Sequence, residues 1–335
     1  MILGLIFIFL LVLFIPLTSR VVERNLELFL FFIGVLAAIV GGVMNSVLFL
    51  NAAFAPIYIT LAVLGAGFLF KWFRKPLQLA INKISNIIPF RLFVFLVIVF
   101  LGLVSSIITA IIAALLLVLI VSSLQLKRAS TIRFVVIACF SIGLGAALTP
   151  TGEPLATIAI NKLDGDFFYL IRLLGKEVIL GVLSLGLVGA VVVQPYVQRG
   201  LYHEVKDNET YEDILVRSLK IYFFVMGLTF LGEGFEPLIQ KYFLGLTPSA
   251  LYWINMASAI LDNATLTAAE ISPVMEQETV RSILLGLIIS GGMLIPGNIP
   301  NIIAAGKLQI TSKEWATIGL PLGLLLMIVY YIFMF

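Results

Sequence analysis

Two apolar runs, GAALTPTGEPLATIAINKL (Gly145 to Leu163) and GGMLIPGNIPNIIAAGKL (Gly291 to Leu308), set the expected architecture. Each is interrupted by glycines and a pair of prolines. Pro150 and Pro296 lie 146 residues apart, as do Pro154 and Pro300, while Lys162 and Lys307 are 145 apart. Proline lacks a backbone N–H and clashes with the preceding turn, so both runs should be helices that stop and restart. Inside a bilayer, irregular backbone is tolerated only where it is buried in protein or lines a polar cavity. Two such interruptions in corresponding halves of a chain point to the binding centre of a secondary transporter.

Composition places the chain in the membrane class. It is 61% hydrophobic and 12% charged, with a mean hydropathy of +1.15. At about 20 apolar residues per helical span, 335 residues leave no room for a sizeable soluble domain. The expected fold is an all-α polytopic membrane protein with a single transmembrane domain, residues 1–335. The lipid bilayer is the expected partner and nucleic acid is not. The net charge of +3 is uninformative as a sum, and the lone Cys139 cannot form an intramolecular disulfide. Met1 to Pro16 has no basic residue ahead of its apolar core and reads as a retained first helix. No P-loop, Cys/His cluster, GxSxG or dinucleotide fingerprint occurs, so neither an enzyme nor a cofactor is expected.

Hydropathy and basic residues together suggest a path. Apolar runs 2–17, 26–50 and 52–70 read as three spans, and Lys71 to Pro89 as an interfacial segment. Arg91 to Leu124 is too short for two ordinary spans, and Gly102, Ser105 and Ser106 sit in its middle. Its two ends carry Lys83 and Arg91, and Lys127, Arg128 and Arg133. Positive charge favours the cytoplasmic side, so the segment is expected to be a re-entrant hairpin with both ends inside. A second hairpin, Leu251 to Ile271 with its tip near Asp262 and Asn263, would enter from outside, flanked by Glu270, Glu276 and Glu278. Along this path every Lys and Arg is cytoplasmic except Lys162, Arg172, Lys176, Lys241 and Arg281. Both termini fall outside the cytoplasmic membrane. Repeats of about 26–162 and 167–307 then run in opposite directions, each with one hairpin and one discontinuous helix, and helices 1–18 and 315–335 lie beyond them.

ASAILDNATLTAAEI (Ala257 to Ile271) resembles the S-x-x-x-D-N hairpin of NhaD-type sodium/proton antiporters, and SGGMLIPGNIPNIIAAG (Ser290 to Gly306) resembles the glycine-rich broken helix that follows it. Both motifs belong to the ion transporter superfamily, which also holds arsenite efflux carriers and dicarboxylate/sodium symporters. The resemblance runs from about Leu92 to Leu308, and the short chain suggests a small branch of cation transporters. It implies an elevator-like exchange of a monovalent cation for protons, and a homodimer. The first hairpin, SSIITAIIAAL, departs from the pattern by carrying Ser105, Ser106 and Thr109 where many relatives have an acidic-Asn or Asn-Thr pair.

Asp262 is the first site candidate, because an ionised carboxylate within a membrane is costly and persists where it pairs, lines water or binds an ion. Asn263, Thr265 and Thr267 offer neutral oxygens. Glu153, between Pro150 and Pro154, is the second candidate: one carboxylate can exchange a proton for a metal ion. Thr149, Thr151, Asn298 and Asn301 complete the expected oxygen-rich centre, in which sodium is the transported substrate. Glu233 is a further proton-coupling candidate, beside Glu236. Against the 146-residue register, Ile299 stands opposite Glu153. Arg172, Lys176 and Glu177 are spaced to pair along one helical turn. The alternative reading is an ion-coupled organic-anion (dicarboxylate) carrier, whose substrate carboxylate would sit at the helix starts after Pro154 and Pro300, or a metalloid oxyanion efflux carrier.

Overall fold

The computed structural model describes residues 1–19, 21–22, 25–54, 56–57, 60–61, 63–65, 67–68, 71–72, 76, 87–124, 126–195, 210–242, 246–259 and 263–334. It is 84% helical and contains no strand among these residues. Among the described residues, five helices are long and apolar enough to cross a membrane. In chain order the helices are α1 (Ile2–Thr18), α2 (Leu26–Val40), α3 (Ser46–Phe54), α4 (Phe90–Ile108), α5 (Ala110–Ser123), α6 (Arg128–Ala146) and α7 (Pro154–Lys162). They continue with α8 (Tyr169–Val192), α9 (Tyr211–Tyr242), α10 (Pro248–Ile254), α11 (Asn263–Glu270), α12 (Gln277–Gly291), α13 (Ile299–Leu308) and α14 (Ser312–Met334). The interfacial segment expected before Pro89 falls largely outside the described residues.

Helix packing separates two bodies. In the first, α9 lies along α2, with α1 and α3 beside them. A Cβ added at Gly34 would meet the Gly227 carbonyl at 2.2 Å, and one at Gly41 the Gly234 carbonyl at 2.4 Å. Small residues of this kind let helix backbones touch where lipid offers no hydrophobic drive to association. The second body holds α4–α8 and α10–α14. Its centre is α6, apolar on every side and buried along most of its length, with α4, α5, α8, α12, α13 and α14 packed around it. A Cβ at Gly145 would fall 1.7 Å from the Gly102 carbonyl. The Arg128 guanidinium grips Glu314 at 2.9 and 2.6 Å and donates to the Leu308 and Gln309 carbonyls, tying the start of α6 to the end of α13 and the start of α14. Between the two bodies, α9 touches α11, and Val63, Ala114, Leu115, Ile221 and Ile303 form a small apolar cluster.

Several boundaries differ from expectation. The 26–50 run is not one helix: α2 ends at Gly41, Gly42 takes φ 73°, and the Asn45 side chain accepts a 2.8 Å bond from Leu48 N to start α3. Gly102, Ser105 and Ser106 do not form the tip of the first hairpin, because α4 runs through them. Ser105 Oγ turns back to the Gly102 carbonyl at 2.6 Å and reaches the Ile142 carbonyl at 3.0 Å, a pattern that leaves a helix intact. The break between α4 and α5 comes at Thr109. Arg172 pairs with Asp166 at 2.8 Å in place of a partner along its own helix, since the loop carboxylate offers both oxygens.

The α4–α6 contact leads to a paired expectation. Gly145→Ala should lower stability by about 1–3 kcal/mol, because the methyl meets backbone that cannot swing aside. Gly306→Ala, where a Cβ meets nothing within 4 Å, should raise it by about 0.5–1 kcal/mol through helix propensity. Thermal unfolding of the two purified variants, followed by tryptophan fluorescence, reads both signs.

Candidate functional site

The two interruptions adopt closely matched forms. Helix α6 stops at Ala146 and α7 starts at Pro154; α12 stops at Gly291 and α13 starts at Ile299. The helix boundaries therefore recur at 145 residues, one less than the proline spacing, because Pro154 occupies the first position of α7 and Pro300 the second of α13. This register puts Asn298, and not Ile299, opposite Glu153. The two share one backbone conformation, φ −155° and ψ 161° for Glu153 and φ −154° and ψ 147° for Asn298. Both stand at N-cap positions, yet neither side chain caps its helix. A capping role, the plain structural explanation for polar residues at helix starts, therefore accounts for neither.

The α4–α5 turn is stitched to the first interruption. Thr149 and Thr151 both donate to the Ser106 carbonyl, the latter at 2.8 Å, and their hydroxyls lie 3.0 Å apart. Ala110 N donates to the Gly152 carbonyl at 2.9 Å. Between them Thr109 holds φ 76° and ψ 149°, a conformation that costs a residue with a side chain of the order of 1–3 kcal/mol. The second interruption is braced from within its own body. Asn301 Nδ2 donates to the Gly291 and Leu294 carbonyls at 2.8 and 2.9 Å, and the Trp315 indole to the Gly292 carbonyl at 3.1 Å.

A cavity of about 570 Å³ opens between these elements and α9. Of the residues expected at the site, Thr109, Thr151, Glu153, Asn263, Asn298 and Glu233 line it. Glu153, Asn263 and Asn298 are all buried, and Asn263 Nδ2 has no partner among the described residues. Thr149, Ser105, Ser106 and Asn301 do not line the cavity; they hold its walls. Asp262 and the Thr265 side chain lie outside the described residues, and Thr267 spends its hydroxyl on the Asn263 carbonyl at 2.8 Å. Thr157 and Thr229 also line the cavity. Their helical spacing from Glu153 and Glu233 was the available sequence signal. Glu233 lines the cavity from α9, with Glu236 three residues further along the same helix. No lysine or arginine is among the described lining residues. A chamber of hydroxyls, amides and carboxyls without fixed positive charge is suited to a hard cation or a proton.

The chain belongs to the family described as "Protein of unknown function (DUF1646)", whose model matches residues 2–335 and so covers both interruptions. No curated protein matches the chain.

The strain at Thr109 separates two substitutions. Thr109→Gly should stabilise the protein by about 1 kcal/mol, because glycine enters this backbone region freely and costs only a few tenths as a cap. Thr109→Ala keeps the strain, loses the Oγ1 acceptor that receives the 3.4 Å bond from Ile112 N, and should destabilise. Thermal unfolding of the pair checks the opposite signs.

Proposed function

We propose that the protein is a secondary transporter that exchanges a monovalent cation, sodium first, for protons across the cytoplasmic membrane. The observation that carries this reading is the cavity at the two helix interruptions, lined by Glu153, Glu233, Asn263 and Asn298 with no basic side chain among its described residues. In a low-dielectric site a carboxylate is neutralised either by a proton or by a cation. Competition between the two at Glu153, with Asp262 as its partner in that role, couples their movements. Asn263, Asn298, Thr151 and Thr109 supply neutral oxygens, since a terminal amide can turn either its oxygen or its nitrogen inward. Glu233, with Glu236 three residues along α9, passes protons to the chamber.

Alternating access follows from the two bodies. The cavity is walled by α9 of the first body and by α5, α7, α11 and the interruptions of the second. Sliding the second body against α9 would carry the chamber from one face of the membrane to the other, an elevator-like motion. The crosswise packing of α5 on α13 and of α11 on α7 supports an inverted pair of repeats, in which each hairpin is re-entrant and meets the discontinuous helix of the other repeat. A homodimer with both termini outside completes this reading.

One observation favours an anion carrier: two helix N-termini, those of α7 and α13, open on the cavity, and such ends attract negative charge. Glu153 stands at one of them and opposes an anion there, which ranks this reading second.

Proteoliposomes with an imposed pH gradient and an internal pH-sensitive dye decide between the two. Addition of sodium chloride should collapse the gradient while choline chloride leaves it intact. Glu153→Gln and Asp262→Asn should each slow the sodium-dependent rate by at least about tenfold, equivalent to about 1.4 kcal/mol. Gradient collapse driven by dicarboxylates and indifferent to sodium would establish the anion carrier.

A further inference from the structure

The cavity is larger and more apolar than a bare inorganic cation requires. Its volume is about 570 Å³, whereas an ion with six waters fills roughly 180 Å³ at about 30 Å³ per water. That size lies in the range of pockets that hold small organic ligands. Ile111, Ile158, Val225, Leu228 and Ile299, from α5, α7, α9 and α13, give the lining an aliphatic wall. Hydrocarbon, and not water, is favoured against such a surface. On α9, Val225, Leu228, Thr229 and Glu233 all line the cavity. The lining therefore changes from aliphatic to acidic over the five residues from Leu228 to Glu233, about 7.5 Å at the helical rise. Glu153 and Ile158 repeat the same five-residue interval at the first interruption.

The hydroxyls of the lining are set to accept hydrogen bonds and not to give them. Thr151 donates to the Ser106 carbonyl, Thr157 to the Pro150 carbonyl and Thr229 to the Val225 carbonyl, at 2.8, 2.5 and 3.0 Å. A hydroxyl carries one proton, so these three threonines have lone pairs left for a ligand and no proton. Ionised Glu153 and Glu233 accept likewise, and the amides of Asn263 and Asn298 can turn an oxygen inward. No lysine, arginine or aromatic ring is among the described lining residues. A quaternary ammonium has neither the N–H groups that such acceptors need nor, here, the aromatic faces that hold such cations. A primary ammonium on an aliphatic chain matches both parts of the lining, with three N–H donors for the oxygens and hydrocarbon for the wall.

We infer that the cavity takes a protonated primary aliphatic amine, whose ammonium group is held by carboxylate and threonine oxygens and whose tail lies on the aliphatic wall. The inference rests on the reading of the cavity as a cation site that exchanges protons, and it names an organic cargo for that site. The alkylammonium competes with sodium and with protons for the same carboxylates. It crosses the membrane as the charged species, in return for a proton.

Calorimetric titration of the purified protein in lipid nanodiscs with the chloride salts of methyl- to pentylammonium tests this, with empty nanodiscs as the blank. Affinity should rise about threefold to fourfold with each methylene. Alcohols of matched length and tetramethylammonium should bind at least about tenfold more weakly, and sodium chloride should displace the amines. Glu153→Gln should weaken every amine by about tenfold or more, whereas Ile158→Thr should flatten the dependence on chain length and leave methylammonium unaffected. If a variant does not fold, the wild-type series decides by itself. Sodium binding with no gain from methyl- to pentylammonium would overturn the inference and leave sodium exchange standing. Amine binding that sodium does not displace would uphold the inference and remove sodium as the cargo. Affinity that climbs with chain length but is matched by the alcohols would be adsorption to apolar surface, and would overturn it. Binding of neither sodium nor any amine would remove the cation reading and the inference together.

Discussion

Backbone freed from helical hydrogen bonding in an apolar medium must find partners, and this constraint organises most of the second body. Residues 147–153 and 292–298 lie outside α-helix, and unsatisfied peptide groups there would each cost several kcal/mol in lipid. The partners come from other elements. The first interruption is joined to the α4–α5 turn through Ser106, Ala110 and Gly152, and the Thr157 hydroxyl reaches the Pro150 carbonyl at 2.5 Å. The second is held by Asn301 and Trp315. Satisfying the backbone thus dictates which helices are neighbours, and the cavity forms where the two satisfied interruptions face α9.

The two interruptions are matched in backbone and differ in chemistry. A side-chain amide and an indole fill the second, whereas hydroxyls and a neighbouring turn fill the first. The strained Thr109 and the carboxylate of Glu153 both belong to the first side. Strain persists only when surrounding contacts over-determine it, and here the Ala110–Gly152 bond and the threonine pair on Ser106 supply those contacts. Close glycine packing on α2 and α9, and again between α4 and α6, stiffens each body internally. The boundary between the bodies has no such glycine seam among the described residues: α9 meets α11, α1 meets α14, and apolar side chains of both bodies join in the core.

Much of this was readable from residues. Proline and glycine placed both interruptions correctly, because their effect on a helix is local and steric. The proline spacing nonetheless misassigned the partner of Glu153 by one position, since proline is accepted at either the first or the second residue of a helix and its position alone does not say which. The break between α4 and α5 falls at Thr109, and not at Gly102, Ser105 and Ser106, for a related reason. Ser105, Ser106 and Gly102 have the composition of a turn, but in an apolar helix serines bond back to their own carbonyls, and glycine serves the approach of α6. Glu270 read as an external flank because charge near a hairpin base ordinarily meets water. Its burial arises from the packing of α12 and the 3₁₀ turn around it, a tertiary fact with no signature in local sequence. Arg172 found Asp166 across a loop, which helical spacing could not reveal.

The two buried carboxyl groups stand in different surroundings. Glu153 sits at a helix N-terminus on the cavity, among hydroxyls and amides that can solvate a charge or a bound ion. Positive helix-end potential and neutral oxygens make the ionised form tolerable there. Glu270 has a different setting: it is 2% exposed, and neither carboxyl oxygen has a hydrogen-bond partner among the described residues. Because α11 runs from Asn263 at the cavity to the buried Glu270, a single short helix links the two. Its eight residues span about 12 Å at the α-helical rise, close enough for a change at either end to be felt at the other through rigid backbone.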